Sequence, residues 1–207
     1  MRGKGLLLLA ASFLLLSCAG PIPVGDPSAR FYLGPARPLE NTISRWTRTQ
    51  KLYRDLETIM ILDALFRHPE VRQAMAEYLA SSRGLSQEKA RALKEKEAEE
   101  AREELEFILA VYTGRREWND FHLKGSVWRL FLEDDRGRRV EPTSIRRLKL
   151  FQKASPLLSI YRFVTPWKET YSVSFPRDGL NLAKGRGIKL VITGLLGRVE
   201  LRWKDAG

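Results

Sequence analysis

Two histidines, one cysteine and a long roll of arginines are the raw material for chemistry in this 207-residue chain. His122 follows Trp118-Asn119-Asp120-Phe121, and a His/Asp pair two residues apart can move protons or hold a metal. No partner nucleophile or third ligand stands out beside it, so loop packing explains the pair as well. His68 directly precedes Pro69 at a helix start, where a cap or surface role is the simpler reading. Ser86-Gln87-Glu88-Lys89 has the SxxK spacing in which a lysine activates a serine. The SDN-like and KTG-like elements that such chemistry also requires are missing, and Ser86 reads equally as a helix cap. HExxH and GxSxG do not occur, and Gly185-Arg186-Gly187 is a bare GxG without a phosphate-binding Gly-Lys-Ser/Thr. These spacings assign no catalytic residue, no metal ligand and no cofactor.

Binding chemistry is better supplied. Arg136, Arg138, Arg139, Arg146, Arg147, Lys149 and Lys153 form a basic set, and, Arg139 excepted, alternate members can share the polar face of two strands. Arginine there would meet phosphate or carboxylate bidentately. Trp167, in Pro166-Trp167-Lys168, can stack on a sugar or anchor a partner, or pack into a core. Leu195 and Leu196 fall at a hairpin tip, where they insert into a partner or membrane unless they fold back. Net charge is +11, and its distribution is uneven. Residues 42–110 hold 12 Lys/Arg against 13 Asp/Glu, whereas residues 111–207 hold 20 against 10. The basic half therefore suits acidic neighbours.

The elements that must position these residues fall into two blocks, an α+β pattern. From Thr42 to Glu106 the expectation is a helical region of about three helices. The first carries Ile43, Trp46, Tyr53, Leu56, Ile59, Met60, Leu62, Leu65 and Phe66 near helical spacing, with Asp63 and Arg67 pairing at i,i+4. A second starts at Pro69 and stops before Gly84; a third opens at Ser86 and is mostly charged. From Phe107 to Gly207 period-two alternation dominates, although Phe107–Thr113 also reads as a helix end. Trp128–Leu132, Arg146–Phe151, Leu157–Val164, Tyr171–Phe175 and a closing hairpin, Ile188–Ile192 with Val199–Trp203, read as strands. They predict an antiparallel β-sandwich, immunoglobulin-like or C2-like in outline.

Ahead of both blocks lie a leader, residues 1–17, and a Pro-rich stretch, residues 18–41. Arg2 and Lys4 precede an apolar run from Leu6 to Leu16, too short for a permanent span of about 20 residues and suited to a signal peptide. Pro21, Pro23, Pro27, Pro35 and Pro38 make the following stretch an extended tether that reaches roughly 70 Å at about 3.1 Å per residue.

Leu15-Leu16-Ser17-Cys18 resembles the lipobox of bacterial lipoproteins, a leucine three residues before a cysteine with a small residue at the cut. The resemblance covers the leader alone. It implies that Cys18 becomes the first mature residue and carries acyl chains (diacylglycerol and commonly palmitate), which anchor stably when two or more are present. Ala19 in place of aspartate implies export to the outer membrane, facing the periplasm. No thiol then remains for disulfide, zinc or nucleophile chemistry.

Together these readings predict a lipid-anchored envelope protein acting as a non-enzymatic interaction or assembly component, with envelope proteins as partners. The alternative is a binder of lipid A, acidic phospholipid or cell-wall polymer through its basic β-domain. An envelope hydrolase is a weaker third option, and nucleic acid is a poor candidate because secretion removes the chain from it.

Overall fold

The computed structural model describes residues 37–150, 157–183 and 185–206; the leader, Cys18, Ala19 and Lys153 lie outside them. Gly34–Gly207 forms one compact unit. Its elements are α1 (Arg37–Trp46), β1 (Thr47–Arg54), β2 (Glu57–Phe66), α2 (Pro69–Ser82), α3 (Gln87–Glu103) and β3 (Glu104–Thr113). A 3-10 turn at Arg116–Trp118 leads to β4 (Trp128–Asp134), β5 (Arg139–Val140), β6 (Ser144–Leu148), α4 (Leu157–Ile160), β7 (Glu169–Pro176), β8 (Ile188–Gly194) and β9 (Gly197–Trp203). The class is α+β, with two antiparallel sheets ordered β1-β2-β3-β7-β6 and β5-β4-β8-β9.

One apolar core lies between the sheets. Phe107 in the centre of the larger sheet stacks on Phe66 at 4.9 Å, meets Phe175 edge-on at 5.8 Å and reaches Trp203 of the smaller sheet at 5.1 Å. Leu130, Leu132, Leu190, Ile192, Val199 and Leu201 complete it from the smaller sheet. That sheet buries one face, so β4 and β9 alternate buried and open positions.

The central strands of the larger sheet are covered on both faces. Every residue from Leu105 to Val111 of β3 is buried, as are Thr170 to Phe175 of β7. The second cover is made by helices and by the segment before β7. Arg72 of α2 reaches Glu106 of β3, and the Tyr161 hydroxyl donates to the Met75 sulfur at 3.4 Å. α1 is tied in from the other side, its Trp46 carbonyl accepting from Trp203 Nε1 at 2.7 Å.

Several expectations change. The helix expected from Thr42 through Phe66 is a short α1 followed by the β1–β2 hairpin, turning at Asp55 with φ 52°. Ile59-Met60-Ile61-Leu62 is apolar all round because β2 is covered on both faces, a pattern that periodicity cannot separate from a buried helix. α1 starts at Arg37, inside the stretch expected to be tether, because proline is accepted in a first helical turn, where its missing N–H costs nothing. Asp63 does not pair with Arg67, since on a strand an i,i+4 spacing separates the two by more than 12 Å of rise. The boundary expected at 106/107 falls inside β3, so α2 and α3 are an insertion between neighbouring strands of one sheet. Leu157–Val164 is α4 and a turn rather than a strand; its Ile160, Tyr161 and Val164 are buried as part of the core cluster.

The remaining elements form as their residues direct. His68 Nδ1 accepts from the Glu70 amide at 3.3 Å as N-cap of α2, and Pro69 occupies the first turn. Ser86 caps α3 by accepting from the Lys89 amide at 3.4 Å. Gly84, with φ 57°, follows α2 in the left-handed conformation that glycine tolerates.

Candidate functional site

The loops at one end of the sheets hold most of the unexplained surface chemistry. The β1–β2 turn, the β3–β4 loop, the start of β7 and the β8–β9 turn meet there, as the registers Met60–Thr113, Val111–Glu169 and Trp128–Gly194 require. Close backbone approach fastens the loops together. A Cβ on Gly194 would lie 2.0 Å from the Val127 carbonyl oxygen, and one on Gly114 would lie 2.2 Å from that of Thr58. The Asp120 carboxylate organises the β3–β4 loop by accepting from the Ser126 hydroxyl at 2.8 Å and the Val127 amide at 3.1 Å. Asp120 is thus a loop brace, and exposed His122 lies beside the Tyr171 ring at 5.9 Å.

Two hairpin tips stand side by side at this end. Arg54 Nη2 donates to the carbonyls of Leu195 at 3.2 Å and Leu196 at 2.9 Å, and Gly197 backs onto Leu52. Leu56 on one tip is fully exposed, and Leu195 on the other is 92% exposed. The two leucines of the β8–β9 turn therefore separate: Leu195 stays in solvent and Leu196 packs against the core. The sequence pattern predicts a helix through Leu56, whereas the residue stands at the β1–β2 turn. The signal that marks it is Arg54-Asp55-Leu56-Glu57, a polar interruption between a mostly polar run, residues 47–53, and an apolar one, residues 58–62.

The basic set does not come together. Arg136, Arg138 and Arg139 belong to the β4–β5 hairpin of the smaller sheet, while Arg146 and Arg147 are consecutive on β6 of the larger and point to opposite faces. Buried Asp134 gathers the hairpin: its carboxylate accepts from the amides of Arg136, Arg138 and Asn181 at 2.8, 3.0 and 2.8 Å, and from Arg138 Nε at 2.9 Å. Burial pushes that carboxyl up, but the Asn181 and Arg138 donors outweigh it and hold it at about 2. Arg139 pairs with Glu133 at 2.7 Å and covers the Phe131 ring at 4.6 Å. Arg147 pairs with Glu169, whose hydrogen bond raises the guanidinium further. Only Arg136 and Arg146 of the five lack an ion pair within the described residues.

Arg147 instead joins a different constellation. A concavity of about 190 Å³ is lined by Arg116, Arg147, Lys149 and Lys168, with Glu169 as its one carboxylate and Leu148, Leu150, Pro166 and Thr170 as walls. Lys168 Nζ donates to the Phe163 carbonyl at 3.2 Å and to Asp63 Oδ2 at 2.5 Å, and the Thr49 hydroxyl donates to Asp63 Oδ1 at 2.6 Å. Asp63 is thereby explained as the seat of Lys168. Trp167 sits between two lining residues and is 81% exposed, so it is not a core residue. Arg116 was absent from the candidate set; only the fold brings it from the 3-10 turn to β6 and β7.

The deepest charges lie elsewhere. Glu106 accepts from Arg67 Nη1 at 2.6 Å, Arg72 Nη2 at 3.0 Å and the Ser172 hydroxyl at 2.7 Å, and Glu97 accepts from both arginines. Burial pushes Glu106 up, and Arg67, Ser172 and Arg72 more than reverse it, leaving the carboxyl below its ordinary value. Among the described residues, no group of three or more His, Cys, Asp and Glu gathers for a metal ion. Searches against protein-family models and curated proteins find no match to this chain.

Proposed function

We propose that this chain is a bacterial envelope lipoprotein, anchored by acyl chains on Cys18 at the periplasmic face of the outer membrane, whose body is a non-enzymatic interaction component. Among the described residues, nine antiparallel strands in sheets of five and four over a common core support a β-sandwich, immunoglobulin-like or C2-like in outline, interrupted by the α2–α3 insertion. The observation that carries the interaction reading is the pair of hairpin tips, which hold Leu56 and Leu195 in solvent while Arg54 fixes one tip against the other. Burying two leucines contributes about 3–6 kcal/mol in gross, at roughly 1.5–3 kcal/mol each, which supports only weak association from solution. A lipid anchor that confines both partners to one surface makes so weak a contact effective.

The anionic-ligand alternative, with the whole basic set as one face, has less support, because Arg138, Arg139 and Arg147 carry ion pairs and the set is split between sheets.

A photo-crosslinking residue placed at position 56 or 195 in intact cells should capture the same envelope species, and one at exposed position 89 on α3 should not. In the same cells Cys18→Ser should leave unlabelled precursor after feeding with a radioactive fatty acid, and the crosslinks should fade. A mature, unlabelled and normally processed chain refutes the anchor; equal capture at position 89 refutes the tips.

A further inference from the structure

The concavity beside Trp167 has the makings of a ligand site in its own right, independent of how the chain is anchored. Its four cations arrive from three places: Arg116 from the 3-10 turn, Arg147 and Lys149 from the end of β6, and Lys168 from the turn before β7. Two of them are already held. Glu169 takes Nε of Arg147 at 2.8 Å and its Nη2 at 2.5 Å, and Asp63 takes Lys168. Neither salt bridge consumes the whole donor set: among the described residues Nη1 of Arg147 makes no bond, and the Lys168 ammonium has a third proton beyond those given to Asp63 and the Phe163 carbonyl. Arg116 and Lys149 have no carboxylate partner among the described residues, and both are exposed. Counting Glu169 and Asp63 against the four cations leaves an excess of two positive charges around one small space.

Charge and size select the ligand. A phosphate monoester carries about −1.5 to −2 at neutral pH and offers three acceptor oxygens, so it matches the excess where a single carboxylate does not. At about 190 Å³ the space is smaller than the roughly 300–1,000 Å³ of a site that swallows a small molecule, so it takes one end of a ligand and leaves the rest outside. What waits outside is Trp167. Pro166 and Trp167 are the central residues of a turn closed by the Lys168 amide on the Thr165 carbonyl at 3.0 Å. Proline at the second turn position restricts the backbone, so the indole is presented from a stiff support rather than a mobile loop. An exposed flat ring next to a phosphate pocket suits the apolar face of a sugar ring.

We infer that this pocket binds a phosphorylated saccharide, with the phosphate among Arg116, Arg147, Lys149 and Lys168 and the sugar on Trp167. The phosphate could be presented by a free or polymeric sugar phosphate or by a phospholipid headgroup, and the measurement separates these sources. Full-length protein in neutral-detergent micelles is titrated by calorimetry with glucose 1-phosphate, glucose, inorganic phosphate and micelles doped with phosphatidylglycerol. Glucose 1-phosphate should bind at least ~10-fold more tightly than inorganic phosphate and weaken with added salt, and glucose should give no heat. Arg116→Ser with Lys149→Ser should weaken it at least ~10-fold, and Trp167→Ala should bring it down to the level of inorganic phosphate. Arg136→Ser with Arg186→Ser, exposed and outside the pocket lining, should leave it unchanged. Unaltered affinity in the Arg116/Lys149 variant, or an equal loss in the Arg136/Arg186 variant, overturns the site. A response to phosphatidylglycerol alone overturns the saccharide and assigns the phosphate to lipid.

Discussion

His68 should make the protein lose stability as pH falls from about 6.5 toward about 4. Its ring stacks on Trp46 with centroids 3.8 Å apart, and Nδ1 accepts from the Glu70 amide at the N-terminus of α2. A proton on Nδ1 would turn that acceptor into a donor facing an N–H, at the positive end of a helix dipole. Burial is the largest cause of the depressed pKa; Glu70 pulls the other way and Arg177 pushes further down, and the imidazole ends at about 4 instead of 6.5. The folded value lies below the unfolded one, so the unfolded chain takes up the proton first. The stabilisation is therefore complete above about pH 6.5 and drains away as pH falls toward about 4. At about 1.36 kcal/mol per pH unit the full displacement corresponds to about 3 kcal/mol, which solvent screening at the half-buried ring reduces to about 1–2 kcal/mol, most of it lost between pH 7 and pH 4.5. Urea unfolding at pH 7, 6, 5 and 4.5 reads the loss directly. His68→Asn keeps a capping side chain and removes the titration, so its stability curve should be flatter by that amount. The chain has two histidines, so His122→Gln assigns the two imidazole Hε1 resonances, and the His68 signal should shift with a midpoint near 4. A midpoint near 6.5, or parallel curves for wild type and His68→Asn, would refute the reasoning.

Two further substitutions test the frame around the loops. Glu106→Gln keeps the shape but strands Arg67 and Arg72 without their buried carboxylate, and should cost about 3–5 kcal/mol at pH 7 by chemical denaturation. Because the Glu106 pKa is depressed on folding, the gap between wild type and variant should close as pH drops below about 4.5 and wild-type Glu106 itself takes up a proton; a gap that stays constant contradicts the network. Gly194→Ala forces a Cβ against the Val127 carbonyl oxygen and should lower stability by about 1–3 kcal/mol, whereas Gly125→Ala, with open space around it, should stay within about 0.5 kcal/mol. Equal thermal midpoints for the two variants would show that the loops yield freely.

Local pattern was enough wherever one face of an element meets water. The β4 and β9 alternation, the β8–β9 hairpin, the Pro69 start and Ser86 cap, and the α+β class are all readable because a polar stripe or a capping residue reports which way each side chain points. The pattern failed where both faces are covered. In β2 there is no polar stripe to give the period, so ten apolar-rich residues passed for helix, and Leu56 at the hairpin tip vanished into it. Charge partners were beyond reach for a related reason. Asp63 stands 105 residues from Lys168 and Arg72 stands 34 from Glu106, and nothing in residue order says which cation will desolvate beside which carboxylate.

Residue order alone supplies the +11 charge, the lipobox-like Leu15-Leu16-Ser17-Cys18 and the shortage of catalytic side chains, since these are properties of composition and adjacency. Tertiary structure decided which arginines are already neutralised, which leucine of the Leu195-Leu196 pair stays in water, and that Arg116, Arg147, Lys149 and Lys168 share one pocket. Sheet order brings together residues from three separate segments, and burial then sets what each remaining charge is free to bind.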